Sequence, residues 1–473
     1  MICEKGRFAV LSHKEGGFTM HWKKNPELSL EQRIPVLKGH PGSGVWWRLA
    51  DVSRDGREDF VVENEFYQLV ISSAFPGISS WKIKTCAEGG YRETIEPESC
   101  AVGELRGAVW GEEMYYVAIG ADTPWDGRMK YHSDELTYWW DGIALLFTPM
   151  REVNHTRKVR FRVKEYPNSV HVVQTVTFSP KYEPVVKIEY HYIFMAGQKT
   201  FLWHNLRKYG AIDAPPGSST RIERMNVAGK VPVGWALPCN KIGLYDSYFW
   251  SDEEHGLYNQ DWREYLVYRW GKEIEWFKRP GGPPPNNIMM YYDSKGINGG
   301  HGVVVANGWT DNCPNTLSTM SGSWPGAWRI DDTTSEDKLE PDMETYGGLC
   351  APFITAPTNP IAEAKQIRDQ FVGTDCLDAP PSVRSTTAIL KEKKGISVFV
   401  INPREGDLNF RFKLKDMEKI GLIEQKTYTF SFYSQQEEKW INGSGISGAA
   451  LVSEGLPIHV DSGEIGYFKL VEK

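Results

Sequence analysis

The chain has 473 residues, enough for two or three domains, and the composition of a soluble globular protein, with 41% apolar and 24% charged residues. A net charge of −7 argues against nucleic acid, whose binding rests on a net basic face, and no run approaches the roughly 18 apolar residues of a membrane-spanning helix. Seven dispersed cysteines with no Cys-x-x-Cys pair leave a zinc site or a disulfide framework without support; reduced, buried thiols are the expectation.

The segment MICEKGRFAVLSHKEGG lacks the apolar core of a signal peptide. A cytoplasmic location is the expectation, although a secreted chain trimmed of its signal would read the same. Aromatic residues are in excess, with 18 Trp, 22 Tyr and 20 Phe, beside 45 Gly and 28 Pro. That mixture suits an all-β chain with many turns. It suits sugar binding equally well, because pyranose faces stack on aromatic rings.

Residues 1–44 read as a polar arm with an edge strand. From Val45 strands follow closely. VWWRLADV comes first, then residues 59–85, where period-2 runs on either side of Pro76-Gly77 predict paired strands with one buried face. Further strands are predicted at 108–120 and 143–149. Residues 158–164 alternate, with Lys158, Arg160, Arg162 and Lys164 on one face and Val159, Phe161 and Val163 on the other. The basic stripe reads as an exposed sheet face; were it concave, it would favour uronate or sulfated glycans. Strands at 169–180, 184–196 and 200–206 continue a meander, which excludes βαβ units. Residues 211–300 are less regular, and 301–306 return to strand. Residues 360–371 predict a helix, with Asn359 as N-cap, Pro360 at the first helical position and Gly373 after its end. The linker-like run Asp378-Ala-Pro-Pro381 precedes strands at 396–401, 408–414, 427–432 and 465–470.

Glu63-Asn64-Glu65-Phe66, followed by a Pro-Gly break and Gly77-Ile78-Ser79-Ser80-Trp81, resembles the opening strand pair of the galactose-mutarotase-like family. The later runs NSVHVVQTVTFSP and PVVKIEYHYIFMAGQKTFLWHNLRKYG, with a turn at Gly197-Gln198, resemble that family's long antiparallel strands. The resemblance covers about residues 45–355 and implies an all-β chain: a large antiparallel β-supersandwich (45–375) followed by a smaller C-terminal β-sandwich (383–473). The family's Asn-His-x-Tyr-Phe-Asn-Leu strand is absent; Tyr245-Asp-Ser-Tyr-Phe249 and Trp203-His-Asn-Leu206 are fragments of it, so epimerase activity is not carried over. A sandwich after a supersandwich looks more like polysaccharide lyases and some glycoside hydrolases, which usually add a helical domain that is not seen here.

The densest chemistry lies at 125–141. Arg128 and Lys130 supply cations, His132 a proton carrier, Tyr131 and Tyr138 phenols, Glu135 and Asp141 carboxylates, and Trp125, Trp139 and Trp140 stacking surfaces. A glycan subsite needs this mixture; a solvated loop anchored by Trp is the competing reading. The second candidate is a strand face. Alternation places Lys187, Glu189 and His191 together, with Tyr190 and Tyr192 opposite and with His171 and His204 on adjoining strands. These residues suit acid, base and orienting roles, though a strand histidine is more often structural. Asp252-Glu253-Glu254-His255 with Asp261 and Glu264 is a third, weaker set. No Ser-His-Asp order or phosphate loop stands out.

These features point to an enzyme cleaving a glycosidic bond of an oligo- or polysaccharide, with β-elimination on an acidic glycan ahead of hydrolysis. The catalytic candidates are His132, Tyr131, Tyr138, Glu135, His191 and Glu189. Substrate would be held by Arg128, Lys130, Trp125, Trp139, Trp140, Asp141, His171 and His204. A non-catalytic glycan-binding protein and a sugar epimerase are the rivals. No cofactor, nucleic acid or membrane is expected; a structural Ca²⁺ and the oligomeric state are not legible in the sequence.

Overall fold

Almost every described element is a strand, and every strand pairing is antiparallel. The structure, a computed structural model, describes side chains mainly over residues 44–71, 78–84, 159–175, 189–206, 288–306 and 349–473, and gives further strands as backbone. The expected strand at 143–149 lies outside the described residues.

Residues expected to form an arm contain β1 (Ile2–Glu4), β2 (Arg7–Lys14) and β3 (Gly17–Lys24), a three-stranded sheet. A five-stranded meander follows: β4 (Trp46–Ala50), β5 (Asp59–Glu63), β6 (Tyr67–Ile71), β7 (Ile78–Lys84) and β8 (Tyr91–Glu93). β9 (Gly111–Met114) joins β15 (Pro232–Ala236), β20 (Thr316–Gly322) and β21 (Trp328–Thr334) in a four-stranded sheet, and β14 (Met225–Asn226) pairs with β22 (Lys338–Leu339). The largest sheet has ten strands. Its order is β10 (Thr156–Tyr166), β11 (Ser169–Ser179), β12 (Val186–Met195), β13 (Phe201–Tyr209), β24 (Cys350–Thr355), β19 (Gly300–Val305), β18 (Asn287–Tyr292), β16 (Ser247–Trp250) and β17 (Glu253–His255), with β23 (Glu344–Tyr346) also on β13.

The helix α1 (Pro360–Gln370) begins as the sequence indicates, with the Asn359 side chain accepting from the Ala362 amide. It ends before Gly373 because Phe371 is already extended and pairs with the next sheet. That sheet has six strands: β25 (Phe371–Val372), β26 (Thr387–Glu392), β27 (Gly395–Ile401), β32 (Ile465–Glu472), β29 (Thr427–Ser434) and β30 (Lys439–Ser447). β28 (Leu408–Phe412) and β31 (Leu456–Val460) pair separately, and α2 (Pro381–Arg384) and α3 (Gly448–Ser453) are short. In the linker-like run Asp378 and Pro380 are exposed; just before it Cys376 and Leu377 are buried, and Leu377 bridges Leu414.

Period-2 alternation explains how these sheets stack. Phe60, Tyr67 and Trp81 point from the five-stranded sheet into Phe194, Phe201 and His301 of the ten-stranded one. Trp81 lies 5.5 Å from Phe201 and stacks on His301 at 6.2 Å, and Phe60 lies 6.4 Å from Phe194 (ring centroids). The ten-stranded sheet is covered on its other face too. There Ile193, Met195, Leu202, Val304, Ala351 and Phe353 share one core with Ala364 and Ile367 of α1 and with Leu390, Phe399, Ile401 and Tyr467 of the six-stranded sheet. The far side of the six-stranded sheet packs Ile396, Val398, Val400 and Phe468 against Phe412, Ile458 and Val460 of the β28–β31 pair. The expected division near 375–385 therefore falls where core side chains from both sides belong to one cluster.

The run 59–71 holds a turn that its composition conceals. It is two strands, β5 and β6, reversed at Asn64-Glu65-Phe66 without glycine or proline. Asn64 makes the turn with its side chain. Its Oδ1 accepts from the amides of Phe66 (2.9 Å) and Tyr67 (3.1 Å), and its Nδ2 donates to the carbonyls of Met195 (3.1 Å) and Gln198 (2.9 Å). One buried amide thus closes the β5–β6 turn and pins it to the β12–β13 turn of the facing sheet. Replacing Asn64 by Ala removes four hydrogen bonds and leaves buried partners unpaired, so chemical denaturation is expected to show a loss of about 2–4 kcal/mol.

Candidate functional site

Strand alternation fixes the face on which the site is built. β10 offers Arg162, Lys164 and Tyr166, β11 offers His171, Val173 and Thr175, β12 offers Glu189 and His191, and β13 offers His204 and Leu206. Cross-strand register joins them, pairing Arg162 with Val173, Lys164 with His171, Val173 with His191, and His191 with His204. This face looks toward the C-terminal sandwich. In the basic stripe Arg160 and Arg162 are exposed as expected, but Arg162 and Lys164 also reach across to that unit. Arg162 donates to Glu464 Oε1 at 2.8 Å and to the Gly463 carbonyl at 2.6 Å, and Lys164 pairs with the same Glu464 carboxylate. Tyr166 packs against Tyr433 with the rings tilted and centroids 5.6 Å apart. Burial pushes the Tyr166 hydroxyl well above its ordinary range, and the Glu464 charge adds to the shift.

Beside these contacts lies a pocket of about 290 Å³. Its floor is the sheet: Arg162, Val173, Thr175, Glu189 and Leu206. Its roof is the C-terminal sandwich: Pro403, Arg404, Glu405, Ser462 and Gly463. Two arginines and two glutamates line one cavity. The guanidinium fork suits a carboxylate or sulfate, and a carboxylate can move a proton.

On the same sheet face as this floor sit three buried histidines. His171 Nε2 and His191 Nδ1 are 3.1 Å apart, so one ring donates and the other accepts, and the rings stack with centroids 5.3 Å apart. His204 lies next along the face, 6.1 Å from His191. Burial holds both members of the pair neutral. It lowers the His191 pKa to about 3, with Arg162 adding to the shift, and takes His171 well below its ordinary value, with His191, Arg162 and Lys164 adding in that order. Glu189 Oε2 stands 3.9 Å from His191 Nε2, too far for a hydrogen bond. The structure thus brings together four residues of the expected strand-face set, Glu189, His171, His191 and His204; the Lys187 side chain lies outside the described residues. Glu189 lines the pocket, whereas His171, His191 and His204 are buried along the same face and do not line it.

The segment expected to carry most of the chemistry lies outside the described residues: Trp125, Arg128, Lys130, Tyr131, His132, Glu135, Tyr138, Trp139, Trp140 and Asp141. So do the side chains of Glu253, Glu254 and His255. The pocket roof was not anticipated. Asn402-Pro403-Arg404-Glu405-Gly406 reads as a turn from sequence, but nothing in it indicates which surface it covers. Among the described residues, Asp407, His459 and Asp461 have donor atoms within 4.8 Å of one another. All three are exposed, and His459 is already paired with Asn409 (2.9 Å) and Asp461 (3.0 Å). Cys350 and Cys376 are free, buried thiols, as expected of reduced cysteines.

No protein-family model matches the sequence, and no curated protein matches it. Among solved structures the chain is similar to a candidate aldose 1-epimerase from Klebsiella pneumoniae, at 9% identity and TM-score 0.37, covering 68% of this chain and 86% of that one. It is similar to the GH36 α-galactosidase AgaA from Geobacillus stearothermophilus at 8% identity and TM-score 0.33, covering 63% and 40%. A TPR-domain-containing protein from Parabacteroides distasonis aligns at 12% identity and TM-score 0.31, covering 64% and 48%. This chain spans less than half the length of the last two. Likenesses at these scores carry no argument about chemistry.

The histidine pair makes a sign-definite prediction. Its folded pKa values lie below the unfolded value of about 6.5, so the unfolded chain binds protons first as pH falls. Stability is full above that value and is lost as pH falls toward the folded pKa. In urea melts, His191→Asn is expected to lose about 2 kcal/mol less stability than the wild type between about pH 7 and pH 5.

Proposed function

We propose that the chain is a carbohydrate-active enzyme that cleaves a glycosidic bond of an acidic oligo- or polysaccharide, by β-elimination in preference to hydrolysis. The observation carrying this reading is the pocket between the ten-stranded sheet and the C-terminal sandwich, where Arg162, Arg404, Glu189 and Glu405 converge. The aromatic-rich composition and the resemblance of residues 45–355 to the galactose-mutarotase-like family support the same substrate class.

Elimination needs three things. A cation neutralises the uronate carboxylate and so acidifies the C5 proton. A base removes that proton, its electron pair forming the C4–C5 double bond as the C4–O bond breaks. An acid protonates the departing oxygen. The arginines are suited to the first task and Glu189 to the second. In this proposal Tyr131, His132 and Tyr138 supply the proton, with Arg128 and Lys130 assisting charge neutralisation and Trp125, Trp139 and Trp140 stacking on sugar rings. Hydrolysis is the second reading, favoured by the two carboxylates, Glu189 and Glu405, lining one cavity.

Incubation with a panel of uronic-acid glycans tests this. Ultraviolet absorbance of unsaturated uronate is expected to rise together with reducing ends, and Glu189→Gln is expected to slow the reaction roughly 10²–10⁴-fold. Reducing ends without absorbance indicate a hydrolase. Binding without either product indicates a glycan-binding protein. His132→Ala is expected to slow turnover as well; an unchanged rate removes residues 125–141 from the mechanism.

A further inference from the structure

We infer that the strand face carrying Tyr433, Trp440, Lys469 and Asn442 is a second binding site for an acidic glycan, holding the part of the sugar chain that lies outside the pocket. The inference rests on the proposed function for its substrate class; its geometry is independent of the pocket. Strand register sets two rows side by side on the face of the six-stranded sheet that turns toward the ten-stranded one. The first row is aromatic. Phe399 of β27 pairs with Tyr467 of β32, and Tyr433 of β29 pairs with Trp440 of β30. Ring centroids along it lie 4.3 Å apart (Phe399 and Tyr467), 4.8 Å apart (Tyr467 and Trp440) and 5.9 Å apart (Trp440 and Tyr433), and Trp440 meets both tyrosines in edge-to-face fashion. The second row is polar: Ser397, Lys469, Ser431 and Asn442 are cross-strand partners in turn. Both rows are buried at the β27 end and open toward β30. Phe399 and Ser397 are buried, Tyr433 and Trp440 are half-buried, and Asn442 is exposed.

The open half keeps polar groups in reserve. Lys469 Nζ lies over the rings of Trp440 (5.1 Å to the centroid) and Tyr467 (5.4 Å), and among the described residues it makes no ion pair. Asn442 Oδ1 accepts from Ser431 Oγ at 2.7 Å, and among the described residues neither Asn442 Nδ2 nor Trp440 Nε1 has an acceptor. The inner end of the polar row is closed, because Ser397 donates to Glu392 at 2.7 Å. Half-buried rings, an ammonium and two N–H donors on one face suit an acidic sugar: C–H faces pack on the rings, the ammonium takes the anion, and the N–H groups donate to hydroxyls. A cation–π contact at an exposed site is weak, so the ammonium can turn from the rings to an anion. The face also connects with the pocket. Arg162, Lys164 and Tyr166 follow one another on one side of β10, with Arg162 in the pocket lining and Tyr166 against Tyr433. Four strand residues span on the order of 13 Å, so an oligosaccharide following the seam between β10 and the sandwich reaches both sites.

The test titrates a uronic-acid disaccharide and a long oligosaccharide of the same repeat calorimetrically into the full chain, into Lys469→Gln and into Trp440→Ala, and assays turnover of both sugars. The readout is the ratio of the two affinities, which partial unfolding leaves unchanged because both ligands meet the same folded fraction. The wild type is expected to prefer the long chain roughly ten-fold or more, and Trp440→Ala to remove most of that preference. Lys469→Gln is expected to lower the ratio roughly three-fold, and neither substitution to change the disaccharide affinity. A carboxyl-reduced long chain is expected to bind the wild type and Lys469→Gln alike. A wild type without a length preference overturns the assignment. So does a preference that survives either substitution, or a Lys469→Gln loss of equal size on the reduced chain. A preference lost in the variants without turnover of any glycan overturns the catalytic reading and leaves this site standing. Turnover with an unchanged ratio does the reverse, and a chain that binds neither glycan overturns both.

Discussion

The side chain of Asn64, set into the turn between β12 and β13, is the interaction on which the sandwich depends. A primary amide has two donors and one acceptor group, and here all are committed: the acceptor closes the β5–β6 turn, and the donors hold the β12–β13 turn. The turn it grips is fastened on its other sides as well. Lys199 pairs with Glu363 of α1 and lies 5.4 Å from the Phe66 ring centroid, and Thr200 donates to the Pro352 carbonyl at 2.7 Å. The five-stranded sheet, the ten-stranded sheet and α1 therefore meet around residues 195–200. β12, which carries Glu189 and the buried His191, ends at that junction, so its register is fixed from one end by hydrogen bonds and along its length by burial on both faces.

Burial on both faces also decides where a ligand can go. Tyr190, Tyr192 and Phe194 fill the face toward the five-stranded sheet, and Ile193 and Met195 fill the other toward α1 and the C-terminal sandwich. Along that second face apolar packing gives way to charge at Arg162, Glu189, Arg404 and Glu464. There the two surfaces stand apart and leave a pocket. The histidines mark the transition. Burial holds His171 and His191 neutral, and the pair stands on that face between apolar packing and the pocket. Desolvation sets their protonation and Glu189 meets the solvent, an ordering that composition alone does not reveal.

Strand alternation was legible wherever one face is apolar. It places Glu189 and His191 opposite Tyr190 and Tyr192, and it delimits β10 to β13 closely, because period-2 patterning over nine or more residues has few alternatives. The cap of α1 was legible because Asn-Pro before an alternating apolar run has one economical reading. The turn at Asn64 was not, since its reversal is made by a side chain and not by Gly or Pro. Strands β26, β30 and β31 escaped notice: β26 runs into a Lys-rich turn, and β30 is exposed, polar and rich in glycine. The pocket was least legible of all. Its floor and roof come from residues 162–206 and 403–463, and the long-range contacts that join them leave no local pattern. The reach of Arg162 to the C-terminal sandwich was not legible because its acceptor, Glu464, lies 302 residues further on.

The central claim is that the cavity between the ten-stranded sheet and the C-terminal sandwich is where the sugar binds. A crystal structure of the Glu189→Gln variant soaked with a uronic-acid oligosaccharide tests it most directly. The account predicts a sugar ring in the cavity, its carboxylate against Arg404 and its ring edge toward residue 189. Sugar density on another face, with the cavity closed to it, would contradict the account.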